Sequence, residues 1–289
     1  MKRNLWKMKK WVSSISFLFA LIFSCNGQNP TVKQTASEIE MPERGFCAHR
    51  GAMKTHPENT IPSFKAAIEA GAQMLELDVW LSKDGQLVVI HDDTVDRTSD
   101  SSGKVSELTL AEIKKMDAGS WKSPEFKGIQ IPTLEEVLKI IPRNMWLNIH
   151  IKEENEVPLL VADLLKKENR LHQAFLACSS LSATKVKEIV PDIITCNMDR
   201  QANTVDYVQN TIEAGSDFIQ LRGDITPELE QHVKRLKERN IKINYFGTDS
   251  PEELKLTFQY GIDFPLVNDI VHTIKLGNGF NIVPILPVF

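Results

Sequence analysis

The sequence predicts an α/β fold, a (β/α)8 TIM barrel with an insertion after the early strands at the mouth of the barrel. Two observations support this fold. Short apolar segments typical of strands alternate with helical segments along residues 43–289, a pattern typical of one parallel barrel. Glycines also follow three of the predicted helices, at Gly71, Gly215 and Gly261. Glycine is common just after the C-terminus of a helix, so these positions indicate where the helices end.

Nine segments have the composition of strands, one more than a closed barrel needs: 46–50, 73–79, 87–91, 145–151, 174–179, 192–198, 217–222, 241–246 and 264–267. Only Leu81 to Gln86 join the second segment to the third. This is too short for a parallel crossover, and the Asp84-Gly85 pair is typical of a hairpin. We therefore predict that the second strand runs into a local hairpin, with one segment outside the barrel.

Helices are predicted between the strands, at 61–70, 133–140, 156–168, 183–189, 203–214, 227–239 and 251–260. Thr226-Pro227 and Ser250-Pro251 follow the order of capping residue and proline that begins many helices. Residues 92–132 exceed an ordinary loop. They are interpreted as an insertion at the barrel mouth with a short helix near 109–117.

The N-terminal segment is predicted to be an export signal. Five basic residues among the first ten precede an apolar stretch from Trp11 to Ser24, which is short for a membrane span. Leu21 to Cys25 resembles a bacterial lipobox. We expect a lipoprotein-type signal peptide over residues 1–24, a flexible tether over 25–42, and lipid on Cys25. The protein would then be anchored to a membrane, facing the periplasm or the cell surface. The alternative is an ordinary secretory signal.

The charge balance argues against nucleic acid as a partner. The formal net charge is −4, and it becomes −9 without the five basic residues of the signal. A nucleic-acid-binding protein would need a basic face. A phosphate-bearing small molecule would instead meet local positive charge from Arg50, Lys152 and a metal ion. The sequence does not indicate an oligomeric state.

The candidate site residues lie at or just after the ends of apolar segments. His49 and Arg50 end the first strand segment, Glu76 and Asp78 lie in the second, and His91 ends the third. Alternate residues of a strand point the same way, so the two carboxylates can share one cation. Hard oxygen ligands suit Mg²⁺, Ca²⁺ or Mn²⁺. This arrangement favours metal-assisted chemistry on a phosphate ester.

A series of short motifs resembles the glycerophosphodiester phosphodiesterase family. The motifs stand at His49-Arg50-Gly51, Pro57 to Thr60, Glu76 to Val79, Asp84 to Asp92, Asp96-Arg97-Thr98, Gly103-Lys104-Val105, Asp117-Ala118-Gly119 and Ile131 to Leu138. The resemblance is dense from residue 46 to 152 and reaches Asp269. It implies a TIM barrel and a hydrolase that converts glycerophosphodiesters to glycerol 3-phosphate and an alcohol.

The resemblance also implies residue roles. His49 and His91 would be the general acid and base, Glu76 and Asp78 would bind one divalent cation, and Arg50 would contact the phosphate. A neighbouring hydroxyl of the substrate is a candidate nucleophile.

Lys152 and Glu58 complete the predicted substrate-binding set. Lys152 would contact the phosphate. For Glu58 two interpretations stay open: contact with substrate, or a bond back to the Arg50 loop.

One departure from the family pattern concerns the metal. Where the family usually has a metal-binding Glu, this chain has His150 within Asn148 to Lys152. His150 could bind a metal softer than usual, act on the phosphate, or mark a site that binds ligand without catalysis. Carboxylates suit Mg²⁺ and Ca²⁺, whereas imidazole suits transition metals such as Mn²⁺ and Zn²⁺ better. The identity of the metal therefore stays open among Mg²⁺, Ca²⁺, Mn²⁺ and Zn²⁺. The alternative function is therefore a non-catalytic lipoprotein that binds glycerophospho- or sugar-phosphate ligands.

A second departure lies at Asn244 to Thr248, where family members commonly have a Trp-Thr-x-Asn type of sequence lining the pocket. Tyr245 or Phe246 could substitute for the tryptophan, which leaves the alcohol open. A deacylated phospholipid head group, a teichoic-like polymer and another sugar phosphodiester are the candidates.

Overall fold

The computed structural model describes residues 39–199 and 202–289, which contain a closed barrel of eight parallel strands. Its strands follow the order β1, β2, β4, β5, β6, β7, β8 and β9, and β1 pairs with both β2 and β9. The strands are β1 (Cys47–Ala48), β2 (Met74–Leu81), β3 (Leu87–Val89), β4 (Trp146–Ile151), β5 (Ala174–Cys178), β6 (Ile194–Asn197), β7 (Phe218–Arg222), β8 (Lys242–Phe246) and β9 (Phe264–Val267). The predicted fold class is confirmed.

The surplus strand is the third. β3 pairs antiparallel with the end of β2, so that Val79 lies opposite Val89. The Ser82 N–H donates to the Gln86 carbonyl at 2.9 Å and closes the turn. This hairpin carries the chain out of the barrel and brings His91 back towards the end of β2.

The helices lie outside the barrel: α1 (Ile61–Ala70), α2 (Leu110–Ile113), α3 (Leu134–Leu138), α4 (Val157–Lys167), α5 (Ser180–Ile189), α6 (Val205–Glu213), α7 (Pro227–Lys237), α8 (Pro251–Tyr260) and α9 (Ile270–Thr273). Helix α5 begins three residues before its predicted start, because the Ser179 side chain accepts the Ser182 N–H. Helix α9 is not among the predicted helices; its N-terminus is capped by Asp269, whose side chain accepts the His272 N–H.

The inward side chains of the strands change from apolar to polar towards the mouth. Met74, Trp146, Phe175 and Phe218 fill the lower level. Alternate residues of a strand share a face. The next inward positions on β2, β4, β7 and β8 are therefore polar: Glu76, Asn148, Gln220 and Asn244. The last inward positions on the same four strands are Asp78, His150, Arg222 and Phe246. The barrel therefore presents a polar and charged surface at the C-terminal ends of its strands.

The opposite end of the barrel is covered by the C-terminal tail. The Ile285 N–H donates to the Gly71 carbonyl at 3.0 Å, and the Gln73 side chain donates to the Val283 carbonyl at 2.7 Å. On the N-terminal side, the Pro42 carbonyl accepts a hydrogen bond from the Trp146 indole at 2.8 Å, so ordered contacts begin within the predicted tether.

The predicted signal peptide, Cys25 and most of the tether lie outside the described residues. Among the helices that are described, none is long and apolar enough to cross a membrane.

Candidate active site

His49 and Arg50 occupy a tight turn directly after β1. Arg50 has a φ of 51° and Gly51 a φ of 77°, a left-handed region that an arginine rarely adopts. A Cβ on Gly51 would lie 2.6 Å from the Ser63 hydroxyl, so only glycine fits. The turn directs the Arg50 N–H onto Glu76 Oε2 at 2.9 Å. Backbone geometry thus fixes the Arg50 loop above the two acidic residues of β2.

Glu76, Asp78 and His150 form one cluster whose potential ligand atoms all lie within 4.8 Å of one another. Asp78 and His150 are in register on β2 and β4. His150 Nδ1 lies 3.3 Å from Asp78 Oδ1 and 3.9 Å from Glu76 Oε1. Asp78 Oδ1 is buried and makes no hydrogen bond, although buried polar atoms are almost always paired. This oxygen, which lacks a hydrogen bond, and the converging donors fit a divalent cation.

The electrostatics of the two carboxyl groups support the same conclusion. Burial, together with the charge of Asp78, raises the pKa of Glu76 to about 8. Burial also opposes ionisation of Asp78, but nearby His150, Lys152 and Arg50 hold the pKa of that carboxyl below its usual range. The surrounding cationic side chains thus stabilise one carboxylate but not both. A divalent cation would supply the missing positive charge.

The phosphate-binding candidates lie beside this cluster. The Arg50 guanidinium donates to Glu58 Oε1 at 2.7 Å, and its Nε lies 3.5 Å from Asp78 Oδ2. Lys152 Nζ lies 3.5 Å from Asp78 Oδ1. Both cationic side chains are therefore held at the edge of the cluster, where a phosphate group could approach.

Glu58 is buried and faces arginines. Its carboxylate accepts hydrogen bonds from Arg97 at 2.8 and 3.0 Å in addition to that from Arg50. Burial opposes its ionisation, but the two guanidinium groups hold the pKa of Glu58 below its usual range. Of the two interpretations left open by the sequence, the geometry supports the bond to the Arg50 loop.

Arg97 also supports His91. Its guanidinium donates to both oxygens of Asp92, at 2.6 and 3.1 Å. Asp92 in turn lies 2.6 Å from His91 Nδ1. The Arg97 interaction holds the pKa of Asp92 at about 2, so Asp92 is ionised at neutral pH. It therefore accepts a hydrogen bond from the Nδ1–H of His91 and leaves Nε2 free for the site.

His49 lies on the other side of the acidic cluster. Its Nδ1 is 2.7 Å from Asn268 Oδ1, its Nε2 is 4.0 Å from Glu76 Oε2, and its ring centroid is 5.1 Å from that of Phe246 in an edge-on contact. Burial, with a further contribution from Arg50, lowers the pKa of His49. Burial also lowers the pKa of His91. Two histidines with fixed ring orientations thus flank one acidic cluster.

All the predicted site residues lie at the same end of the barrel: His49, Arg50, Glu58, Glu76, Asp78, His91, His150 and Lys152. Sequence reasoning assigned no role to three further residues there. Arg97 lies within a quoted motif, Asn268 orients His49, and the Asn59 side chain donates to Asp78 at 2.9 Å. The only available signal was their position within or beside the motifs.

Comparisons with known proteins agree with this geometry. The model of the glycerophosphoryl diester phosphodiesterase family matches residues 49–177. A glycerophosphodiester phosphodiesterase of Caldanaerobacter subterraneus is 37% identical over 230 residues, which cover 77% of this chain and 93% of that protein. YhdW of Bacillus subtilis is 44% identical over 160 residues, which cover 53% of this chain and 65% of that protein.

A solved structure is similar over most of the chain. It is that of an Oleispira antarctica phosphodiesterase in complex with the product sn-glycerol-3-phosphate. The TM-score is 0.72 at 26% identity, and the match covers 85% of this chain and all of that one.

Proposed function

The chain belongs to the glycerophosphoryl diester phosphodiesterase family, and we therefore propose that it hydrolyses glycerophosphodiesters to glycerol 3-phosphate and an alcohol. The observation that supports this most is the acidic cluster of Glu76, Asp78 and His150, flanked by His49 and His91. Such a site can hold a cation, receive a phosphate and transfer two protons. These are the requirements of phosphodiester hydrolysis.

The chemistry of a metal ion fits this donor set. Glu76, Asp78 and His150 would hold one divalent cation, which when bound supplies positive charge for the non-bridging oxygens of the phosphate. Arg50 and Lys152 add fixed positive charge at the same edge. A phosphodiester resists attack because it is anionic, so this charge lowers the barrier.

We assign the base to His91. Its Nδ1–H donates to the Asp92 carboxylate, so the Nε2 lone pair faces the site and can accept a proton. His91 would take the proton from the nucleophilic hydroxyl as that oxygen bonds to phosphorus. His49 would give a proton to the alcohol oxygen as its bond to phosphorus breaks. With a neighbouring hydroxyl of the substrate as the nucleophile, this displacement leaves a cyclic phosphate. Water then attacks the phosphorus with the roles of the two rings exchanged, so that His49 takes a proton from the water and His91 returns its proton to the departing glycerol oxygen. This second displacement gives glycerol 3-phosphate and restores both rings.

A single assay separates this function from non-catalytic binding. Purified protein stripped of metal with a chelator is incubated with glycerophosphocholine, with or without Mg²⁺, Ca²⁺, Mn²⁺ or Zn²⁺, and glycerol 3-phosphate is measured. We expect release that depends on added metal and is lost in Asp78→Asn. Binding of the diester by calorimetry without any release would favour a ligand-binding protein instead.

Arg97 provides a test of the hydrogen-bond network. We expect Arg97→Ala to lower kcat/KM about 10- to 100-fold, because charge-assisted hydrogen bonds contribute about 1.5–3 kcal/mol. Arg97→Lys should recover little, since an ammonium cannot bond both carboxylates in a bidentate manner. Kinetics of the two variants are compared with Arg239→Ala on an exposed helix end.

A double variant shows whether Arg97 acts through His91. If it does, adding Arg97→Ala to His91→Ala should cost much less than it costs in the wild type. Fully multiplicative losses would show that Arg97 acts independently of His91.

We also propose that the protein is exported and anchored by lipid on Cys25. The support is the basic segment, the apolar stretch and the polar segment that follows. Cys25→Ser should release the protein from the membrane fraction, whereas the wild type should remain with it. Mass spectrometry of the mature N-terminus is the second measurement. A soluble wild-type protein that begins after Cys25 would contradict the anchor.

A further inference from the structure

Arg222 occupies the last inward position of β7, across the mouth from the acidic cluster. It lies on the same strand face as Phe218 and Gln220 and is in register with Phe246 of β8. Its guanidinium carbon lies 5.7 Å from the centroid of the Phe246 ring, and that ring contacts His49. Arg222 and Phe246 therefore form a wall of the mouth on the His49 side.

The charge of Arg222 is not neutralised by a neighbouring acid. Arg50 pairs with Glu58 and Lys152 with Asp78, but across residues 39–199 and 202–289 no carboxylate forms an ion pair with Arg222. Its backbone is fixed, since the Asn203 side chain accepts the Arg222 N–H at 3.1 Å. The side chain is solvent-exposed, so it can accept an anionic group without first losing a partner.

We propose that Arg222 and Phe246 form a second anion subsite, which selects glycerophosphodiesters whose alcohol carries an additional phosphate or carboxylate. This proposal rests on the proposed hydrolysis. The glycerol half of such a substrate is uncharged, so the second anion must belong to the alcohol. The alcohol then lies on the His49 side, where His49 can protonate its departing oxygen.

The same wall disfavours cationic alcohols. An exposed aromatic ring commonly binds quaternary ammonium groups through its face, but here the guanidinium of Arg222 lies over the ring of Phe246. A choline group would meet a like charge at this position. We therefore expect the site to favour substrates with an anionic alcohol and to disfavour substrates with a cationic alcohol.

The experiment compares two substrates that differ by one group: glycerophosphoglycerol, and the same diester with a phosphate on the terminal hydroxyl of the alcohol. The ratio of their kcat/KM values is measured in wild type, Arg222→Gln and Arg222→Lys. We expect Arg222→Gln to lower the kcat/KM of the phosphorylated diester relative to that of glycerophosphoglycerol about 2- to 5-fold, the effect of one exposed ion pair. Arg222→Lys should retain part of the preference.

Two controls make the result specific. Arg239→Gln changes the net charge equally but lies far from the mouth, so it should leave the ratio unchanged. Raising the salt concentration should lower the wild-type ratio towards that of Arg222→Gln, because screening weakens exposed charge pairs. A ratio unaltered by Arg222→Gln, or lowered equally by Arg239→Gln, would overturn the subsite.

The outcome also distinguishes this subsite from the proposed function. Hydrolysis of glycerophosphoglycerol with an unaltered ratio would overturn the subsite alone. If the wild type hydrolyses neither diester, the proposed function fails. The subsite is then tested by the ratio of the calorimetric affinities of the two diesters in wild type and Arg222→Gln.

Discussion

His49→Ala and His91→Ala should each lower kcat for glycerophosphocholine by about 10²- to 10⁴-fold, the usual contribution of one positioned proton carrier. Each ring is fixed through Nδ1, His49 by Asn268 and His91 by Asp92, so each presents Nε2 to the site. Steady-state kinetics at saturating substrate and metal provide the measurement. His272→Ala, on an exposed helix, serves as the matched control and should retain wild-type turnover.

The leaving group separates the two roles. A p-nitrophenyl phosphodiester releases a stable anion that needs little help from an acid. If His49 is the proton donor, the loss in His49→Ala should shrink strongly with this substrate, while the loss in His91→Ala should persist. Rescue of His91→Ala instead would exchange the two assignments. Near-normal turnover of either variant with glycerophosphocholine would remove that histidine from the mechanism.

The pH profile should reflect the same division. The base must be neutral and the acid protonated, so activity should pass through a maximum. Loss of the proton from His49, the acid, should limit activity on the alkaline side. Because burial lowers the pKa of both rings, both limbs of the profile should lie at lower pH than those of exposed histidines. Asp92→Asn would remove the carboxylate that raises the pKa of His91, and the acidic limb should then move to lower pH.

The overall fold could be predicted because its signals are local. The alternation of strands and helices, the glycines after α1 and α8, and the Asp84-Gly85 turn each depend on a few adjacent residues. The short connection and the Asp84-Gly85 pair together predict a hairpin with one strand outside the barrel, and the structure confirms that β3 is antiparallel.

The hydrogen-bond network of the site could not be predicted in the same way. Arg97 contacts Glu58, which is 39 residues away, and His49 contacts Asn268, which is 219 residues away. No local pattern specifies such pairs, because they form only when the barrel closes. The sequence leaves two interpretations of Glu58 open, and the folded structure shows it facing Arg50 and Arg97.

The His150 substitution should decide the metal preference. Two carboxylates and one imidazole favour a transition metal over Mg²⁺ or Ca²⁺. His150→Glu should shift preference towards Mg²⁺ or Ca²⁺ without abolishing activity. His150→Ala should lower metal affinity by at least about 10- to 100-fold, the cost of losing even an outer-shell partner, with a smaller effect on turnover at saturating metal.

Metal affinity should also depend on pH through Glu76. Its pKa of about 8 without metal means that below pH 8 a proton must leave before the carboxylate can bind a cation. Affinity should therefore fall as pH decreases below about 8, by up to about tenfold per pH unit. Calorimetric titration with each metal between pH 6 and pH 9 measures this directly.

Calorimetry and activity together identify the role of His150. Both are recorded against Mg²⁺, Ca²⁺, Mn²⁺ and Zn²⁺ for wild type, His150→Glu and His150→Ala, with His272→Ala as the control. Because calorimetry does not require turnover, loss of metal binding can be distinguished from loss of chemistry. Unchanged metal affinity and selectivity in His150→Ala, combined with a raised KM, would show that His150 contacts the phosphate beside Lys152 and does not bind the cation.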